Sequence, residues 1–272
     1  MKKEIYFHVG MGKVASKYLQ YDVFPKLRGT HYIPTTKYFS VKEIIQETDA
    51  PSFLISREFD QQMEREVKKF AEIFPHTKAI LFLRRHDSWI ASQYRRFAKN
   101  GYVRDYREFI DLENDSGRFK KQDLVFFRNI EILQKYFNEK PLVLFYDELL
   151  SSPFTCIDKI AAFTKTSYNR SEISLEKKHS SYEEKQIRVM QFASKYISFK
   201  ENKHNRKSAF QFLKRLPVLG LRYIILYAAI LIPANWMSKK EIIPVKFLQK
   251  INALTVDDWQ KCITYAKENN PV

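Results

Sequence analysis

The sequence predicts an α/β fold: a parallel sheet flanked by helices, followed by a helical C-terminal lobe. Strand-like apolar runs alternate with stretches of helical spacing up to about residue 150, and that alternation implies right-handed βαβ units and a doubly wound sheet. The runs at 5–9, 52–56, 78–83 and 141–146 are apolar nearly throughout. Strands buried on both faces read this way, whereas half-exposed strands alternate. After residue 151 the pattern becomes helical and more basic. We therefore expect one domain over residues 1–272, with an α/β core at 1–150 and a helical lobe at 151–272.

The elements follow in order. Residues 5–9 form the first strand and 17–27 the first helix. A short strand is expected at 31–34 and a better one at 52–56, ending at Arg57-Glu58. Met63, Val67, Phe70 and Phe74 recur at steps of four, three and four, the spacing of one buried helical face. Pro75 stops that helix. The strand at 78–83 ends in Arg84-Arg85-His86-Asp87, and Asp87 or Ser88 is placed to cap a helix over 89–99. A polar stretch fills 100–122. Phe126, Ile130, Leu133 and Phe137 mark a helix over 123–138. The last strand is followed by Asp147-Glu148-Leu149-Leu150, and a final helix is expected at 255–268, starting at Thr255 or Asp257.

The chain has 272 residues, with 47 Lys and Arg against 31 Asp and Glu, a formal charge of +16. Such an excess points to an anionic partner. Only two cysteines occur, Cys156 and Cys262, far apart and without metal-binding spacing, so neither a metal site nor a disulfide framework is expected. Met1-Lys2-Lys3-Glu4 leads straight into a strand, with no apolar region of signal-peptide length; the expected location is the cytoplasm. The run 216–237 is apolar but contains Pro217, Arg222 and Pro233. It falls short of the roughly 20 apolar residues of a spanning helix. A hairpin lying on a membrane, flanked by Lys214, Arg215, Lys239 and Lys240, and a buried helix of the lobe are the two readings of it.

In an open α/β sheet, ligands sit beyond the carboxyl ends of the strands. Two of these ends are basic turns feeding helices: Gly10 to Lys17, and Arg84 to Asp87. A turn of this kind collects backbone N–H groups at a helix start, where the dipole favours an anion. Two such turns on one sheet edge suggest a ligand with two phosphate-like groups. The first turn is no Walker A loop, which requires G-x-x-x-x-G-K-[ST]; Val14 follows Lys13 here. Gly10, Gly12 and Ala15 match the dinucleotide pattern G-x-G-x-x-A, but Thr35, Thr36 and Lys37 stand where that pattern needs an acid for the ribose.

The segment from His8 to Gln20 resembles the 5′-phosphosulfate loop of the sulfotransferase family, whose bacterial members typically read H-x-G-x-P-K-[ST]-G-[ST]-[ST]-x-L-Q. Leu81 to Ser92 resembles that family's 3′-phosphate motif, an arginine at a strand end and a serine eight residues later, here Arg84 and Ser92. Tyr146-Asp147-Glu148-Leu149 resembles its Y-E-D-L. The similarity is clear over residues 1–150 and thin beyond. It implies a P-loop-like sheet and the donor 3′-phosphoadenosine 5′-phosphosulfate, with no metal. It also implies sulfuryl transfer to a hydroxyl of an anionic or neutral glycan or glycolipid, and no nucleic-acid partner. Under that resemblance Gly10, Gly12, Lys13, Val14, Ala15, Ser16 and Lys17 hold the 5′-phosphate, and Lys13 assists its departure. Arg84 and Ser92 hold the 3′-phosphate. Glu58 is the first candidate for the base that accepts the hydroxyl proton, His86 the second and His8 the third. A phosphotransferase and a non-enzymatic basic binding protein are the rival readings.

Four positions depart from the pattern. Gly12 stands for proline, Ala15 for glycine, Lys17 for a hydroxyl residue, and Arg85-His86 for Asn-Pro. Ala15 fits without strain if its φ is negative, and Lys17 adds a cation to the turn.

Overall fold

The computed structural model describes residues 3–176, 182–199, 209–233 and 241–270. Strands β1 (Glu4–Gly10), β2 (His31–Ile33), β3 (Ser52–Glu58), β4 (Lys78–Leu83) and β5 (Leu142–Phe145) form one sheet in the order β2-β3-β1-β4-β5. Every pairing is parallel. The helices are α1 (Ser16–Tyr18), α2 (Val41–Glu47), α3 (Met63–Ala71), α4 (His86–Lys99), α5 (Tyr106–Phe109), α6 (Phe127–Phe137), α7 (Tyr146–Ser151), α8 (Pro153–Thr164), α9 (Glu184–Ala193), α10 (Ala209–Ala228) and α11 (Val245–Asn269).

The central strand shows why the sheet is covered twice. Successive side chains of β1 point to opposite faces. On one face Phe7 packs against Phe70 of α3, with ring centroids 4.5 Å apart. On the other, Tyr6 meets Phe163 of α8 at 6.0 Å. Tyr6, Phe7 and Val9 are wholly buried, and each such burial stabilises the fold by about 1.5–3 kcal/mol.

Strand order also locates the site. The chain leaves β1 toward the β2 edge and leaves β4 toward the β5 edge, although β1 and β4 are neighbours. The crevice between two strands whose connections diverge is the switch point where α/β sheets bind ligands. Here it lies between the two basic turns. In the dinucleotide-binding order β2 adjoins β1; here β3 does, so the glycine pattern of the first turn is not set in that fold.

The chain forms two compact units. The first comprises Met1–Trp89, Gln122–Glu176 and Asn252–Val272 and contains the sheet. The second comprises Ile90–Lys121 and Lys177–Ile251. Residues 151–176 and the end of α11 thus lie with the sheet. Within the second unit, the segment expected to be merely polar carries a buried aromatic cluster: Phe109 and Phe119 sit 5.0 Å apart, with Tyr94 5.3 Å from Phe109.

Several boundaries differ from the sequence expectation. The helix expected at 17–27 is regular only over Ser16–Tyr18. Its next turn widens, with Phe24 N–H donating to Leu19 O, before a tight turn at Phe24–Lys26 that contains Pro25. The helix after β4 starts at His86, so Asp87 and Ser88 lie inside it. The final helix starts at Val245, ten residues before Thr255. Glu241 accepts the Val245 N–H at 2.9 Å, and Thr255 sits in mid-helix with its hydroxyl 3.5 Å from Asn252 O, a local bond that lets threonine occupy a helix interior. Of the run 216–237, residues 234–237 lie outside the described residues. Among the described residues no helix is long and apolar enough to cross a membrane.

Candidate functional site

The first turn is built by its carbonyl groups. Ser16 Oγ donates to Met11 O at 3.3 Å, Trp89 Nε1 to Gly12 O at 2.9 Å, and an Arg84 Nη to Lys13 O at 3.2 Å. In a trans peptide the next N–H points away from the carbonyl, and the chain has no cis bonds among the described residues. Fixing Gly12 O and Lys13 O therefore turns the Lys13 and Val14 N–H groups away from Trp89 and Arg84. The N–H of Gly12 donates to Asp60 Oδ1 at 2.8 Å. Lys13 (φ 74°) and Ala15 (φ 67°) both occupy the left-handed region. Left-handed residues interleaved with others make a concave nest of N–H groups that suits an anion.

Ala15 therefore does not keep a negative φ. A non-glycine residue in that region costs about 1–2 kcal/mol, and the surrounding bonds hold it there. Gly10 is required by close approach: a Cβ on it would lie 3.1 Å from His8 Cε1 and 3.2 Å from both His8 Nε2 and Ser16 Oγ. Val14 is wholly buried, so the turn presents its backbone and not its side chain. Ser16 is buried as well, whereas Lys13 and Lys17 are exposed.

The second turn is built from side chains. Arg84 lies over the Tyr146 ring, 4.4 Å from its centroid, and donates through Nε to Ser88 Oγ at 3.0 Å. Burial pulls its basicity down, while Tyr146, Asp147 and Asp87 oppose that shift; an arginine in such a place remains charged. The serine that Arg84 touches is thus Ser88, four residues on. Ser92 is half-buried on the part of α4 that belongs to the second unit.

The three candidate bases stand in different surroundings. Glu58 ends β3, pairs in register with Gly10 and is half-buried. Its neighbour Arg57 is engaged by the turn at 35–40, over Tyr38 and Phe39 and 3.3 Å from Thr35 O. His86 is buried, stacked on Phe126 at 3.9 Å, with Nε2 2.9 Å from Asp258 Oδ2. Asp258 also accepts the N–H groups of Phe126 and Phe127. His86 thus joins the start of α6 to α11. His8 is wholly buried, its Nδ1 2.8 Å from Ser56 Oγ, which also accepts from Gln20 at 2.9 Å. Burial lowers its pKa from 6.5 to about 3, so the ring is neutral at physiological pH.

Asp60, Ser88, Trp89 and Asp258 shape the site without a sequence signal. They come from the segment after β3, from α4 and from α11, and no spacing along the chain encodes their meeting. Among the described residues no three His, Cys, Asp or Glu side chains gather as a metal site.

Two solved structures are similar to this chain. One is a sulfotransferase from Alicyclobacillus acidocaldarius: 13% identity, TM-score 0.49, covering 65% of this chain and 88% of that one. The other is mouse sulfotransferase SULT7A1 complexed with PAP: 15% identity, TM-score 0.49, covering 98% of this chain and 90% of that one. No family model matches the sequence, and no curated protein matches it. What those proteins bind or transfer is a property of those proteins.

Proposed function

We propose that this protein transfers a sulfuryl group from 3′-phosphoadenosine 5′-phosphosulfate to a hydroxyl of a carbohydrate or glycolipid. The observation that carries the reading is the convergence of the Lys13 turn and Arg84 at the switch point of the sheet, joined by the bond from Arg84 to Lys13 O. A backbone nest with a lysine and a separate half-buried arginine suit a nucleotide with two separated phosphates. A phosphotransferase would need a metal-binding hydroxyl after Lys13, and that position is the buried Val14.

In this reading the turn and Lys13 hold the 5′-phosphate, and Lys13 neutralises the bridging oxygen as the S–O bond to it breaks. Such a positioned donor is worth about 3–4 kcal/mol in a transition state. Arg84 holds the 3′-phosphate by charge-assisted hydrogen bonds, roughly 1.5–3 kcal/mol each. Ser92 is the second ligand proposed for that group. Glu58, at the strand end beside Gly10, takes the proton of the attacking hydroxyl; the new S–O bond forms as the old one breaks. The two cysteines are buried free thiols, compatible with a reducing cytoplasm.

Calorimetry with adenosine 3′,5′-bisphosphate, ATP and NAD tests the donor. The bisphosphate is expected to bind tightest, and a preference for ATP or NAD rejects the reading. Transfer of radiolabelled sulfate by Glu58→Gln tests the base: a rate near that of the unsubstituted protein removes Glu58 from the step.

A further inference from the structure

The second unit carries an amphipathic arrangement turned inside out. Over residues 218–233 the sequence has one charged residue, Arg222. That residue is 7% exposed, and its guanidinium donates to Asn100 Oδ1 at 3.0 Å. The same inner face of α10 packs Leu226 with Met190 and Phe199, and Gln186 of α9 donates to Leu226 O at 2.9 Å. Lys185 donates to Ile230 O just beyond the helix. The outer face of α10 and of the turn Ala229–Leu231 that follows it is apolar instead: Leu221, Ile224, Tyr227, Ile230 and Leu231 are all exposed, Ile224 by 66% and Leu231 by 85%. Ordinary soluble helices put charge outside. An exposed apolar face over 221–231, in a stretch whose one charge is turned inward, marks a contact surface.

The charge along the neighbouring sequence selects the occupant. Residues 185–240 contain twelve Lys and Arg and a single acid, Glu201. An apolar face set in a strongly basic segment matches the two forces that hold a monotopic helix on an anionic bilayer, apolar insertion and attraction to headgroups. Another protein would need to bring both an apolar patch and a large acidic surround. Among the described residues no helix is long and apolar enough to cross a bilayer.

We infer that the outer face of α10 and the turn after it docks this protein on an anionic lipid surface, with Ile224, Tyr227 and Leu231 inserted below the headgroups. This inference stands apart from the proposed chemistry; if both hold, a membrane-borne acceptor is brought to the enzyme.

Flotation of the full chain with vesicles tests it, using phosphatidylcholine alone and phosphatidylcholine mixed with phosphatidylglycerol. Binding is expected to the anionic vesicles and to weaken as salt is raised. The pair Ile224→Asp and Leu231→Asp is expected to lower partitioning by about a hundredfold or more, since it removes two apolar insertions and adds two anions against an anionic surface. Binding of adenosine 3′,5′-bisphosphate and the circular dichroism spectrum should not change, which separates this result from failure of the nucleotide reading. Should the double variant not fold, Leu231→Ser repeats the measurement at the most exposed position. No flotation with anionic vesicles, or equal flotation of the variants, overturns the inference. So does a dimer in light scattering that dissociates on substitution while flotation is absent, which gives the face to a second copy.

Discussion

The two turns at the switch point are built from different materials. The turn after β1 is made of backbone. Its carbonyls are tied down by Ser16, Trp89 and Arg84, and two of its residues are held at positive φ. The turn after β4 is made of side chains, with Arg84 braced between Tyr146 and Ser88. A backbone nest is rigid and specific for the shape of an anion, but it tolerates little change at its glycine and alanine. A side-chain site depends on one cation and its braces. The comparison therefore predicts that the first turn is sensitive through conformation and the second through charge.

The largest effect is expected at the lysine that stands on the nest. Lys13→Ala should lower sulfate transfer by about 100- to 1,000-fold, the usual cost of a lost transition-state donor, with a much smaller loss of bisphosphate affinity. Equal losses in rate and affinity would assign Lys13 to ground-state binding only. Arg84→Ala should weaken bisphosphate binding in calorimetry by about 10- to 100-fold, in line with one or two charge-assisted bonds. Arg84→Lys should recover part of the affinity but not the stacking on Tyr146. If both variants bind normally, the second turn is not an anion site.

Conformational sensitivity of the first turn is tested by stability. Gly10→Ala brings a methyl group to 3.1 Å from His8 and 3.2 Å from Ser16, and overpacking of this kind costs about 1–3 kcal/mol; denaturant unfolding reads it. Beneath the same turn, His8 is held neutral by burial, with its pKa near 3 against an ordinary 6.5. Below pH 6.5 the unfolded chain takes up a proton there and the folded chain does not. His8 therefore contributes stability in full above pH 6.5, and that part is lost as pH falls toward 3, by at most about 1.4 kcal/mol per pH unit. Unfolding of His8→Asn between pH 6.5 and 5 should lack this slope; an unchanged slope assigns it to other groups. The smallest effect is at Ala15, where Ala15→Gly should raise stability by about 1 kcal/mol through release of the left-handed strain. A loss of stability instead would show that the turn needs the stiffer residue.

The sequence by itself determined the sheet and the two basic turns at its edge. Long apolar runs and the Met63–Val67–Phe70 spacing are local patterns, and they translate directly into strands and a helix face because burial depends on period. It also fixed which residues stand at the strand ends, since a strand's exit is marked where its apolar run stops, at Gly10, Glu58 and Arg84. Tertiary structure decided the rest. The pairing of β1 with β4 makes the two turns neighbours, and strand order is a matter of packing rather than of local spacing. Only the fold turned Ala15 to positive φ, brought Asp60 from beyond β3 to Gly12, and seated His86 against Asp258. Only it showed that Arg222 points inward and Leu231 outward. These depend on contacts between residues far apart in the chain, and no pattern along a single segment records them.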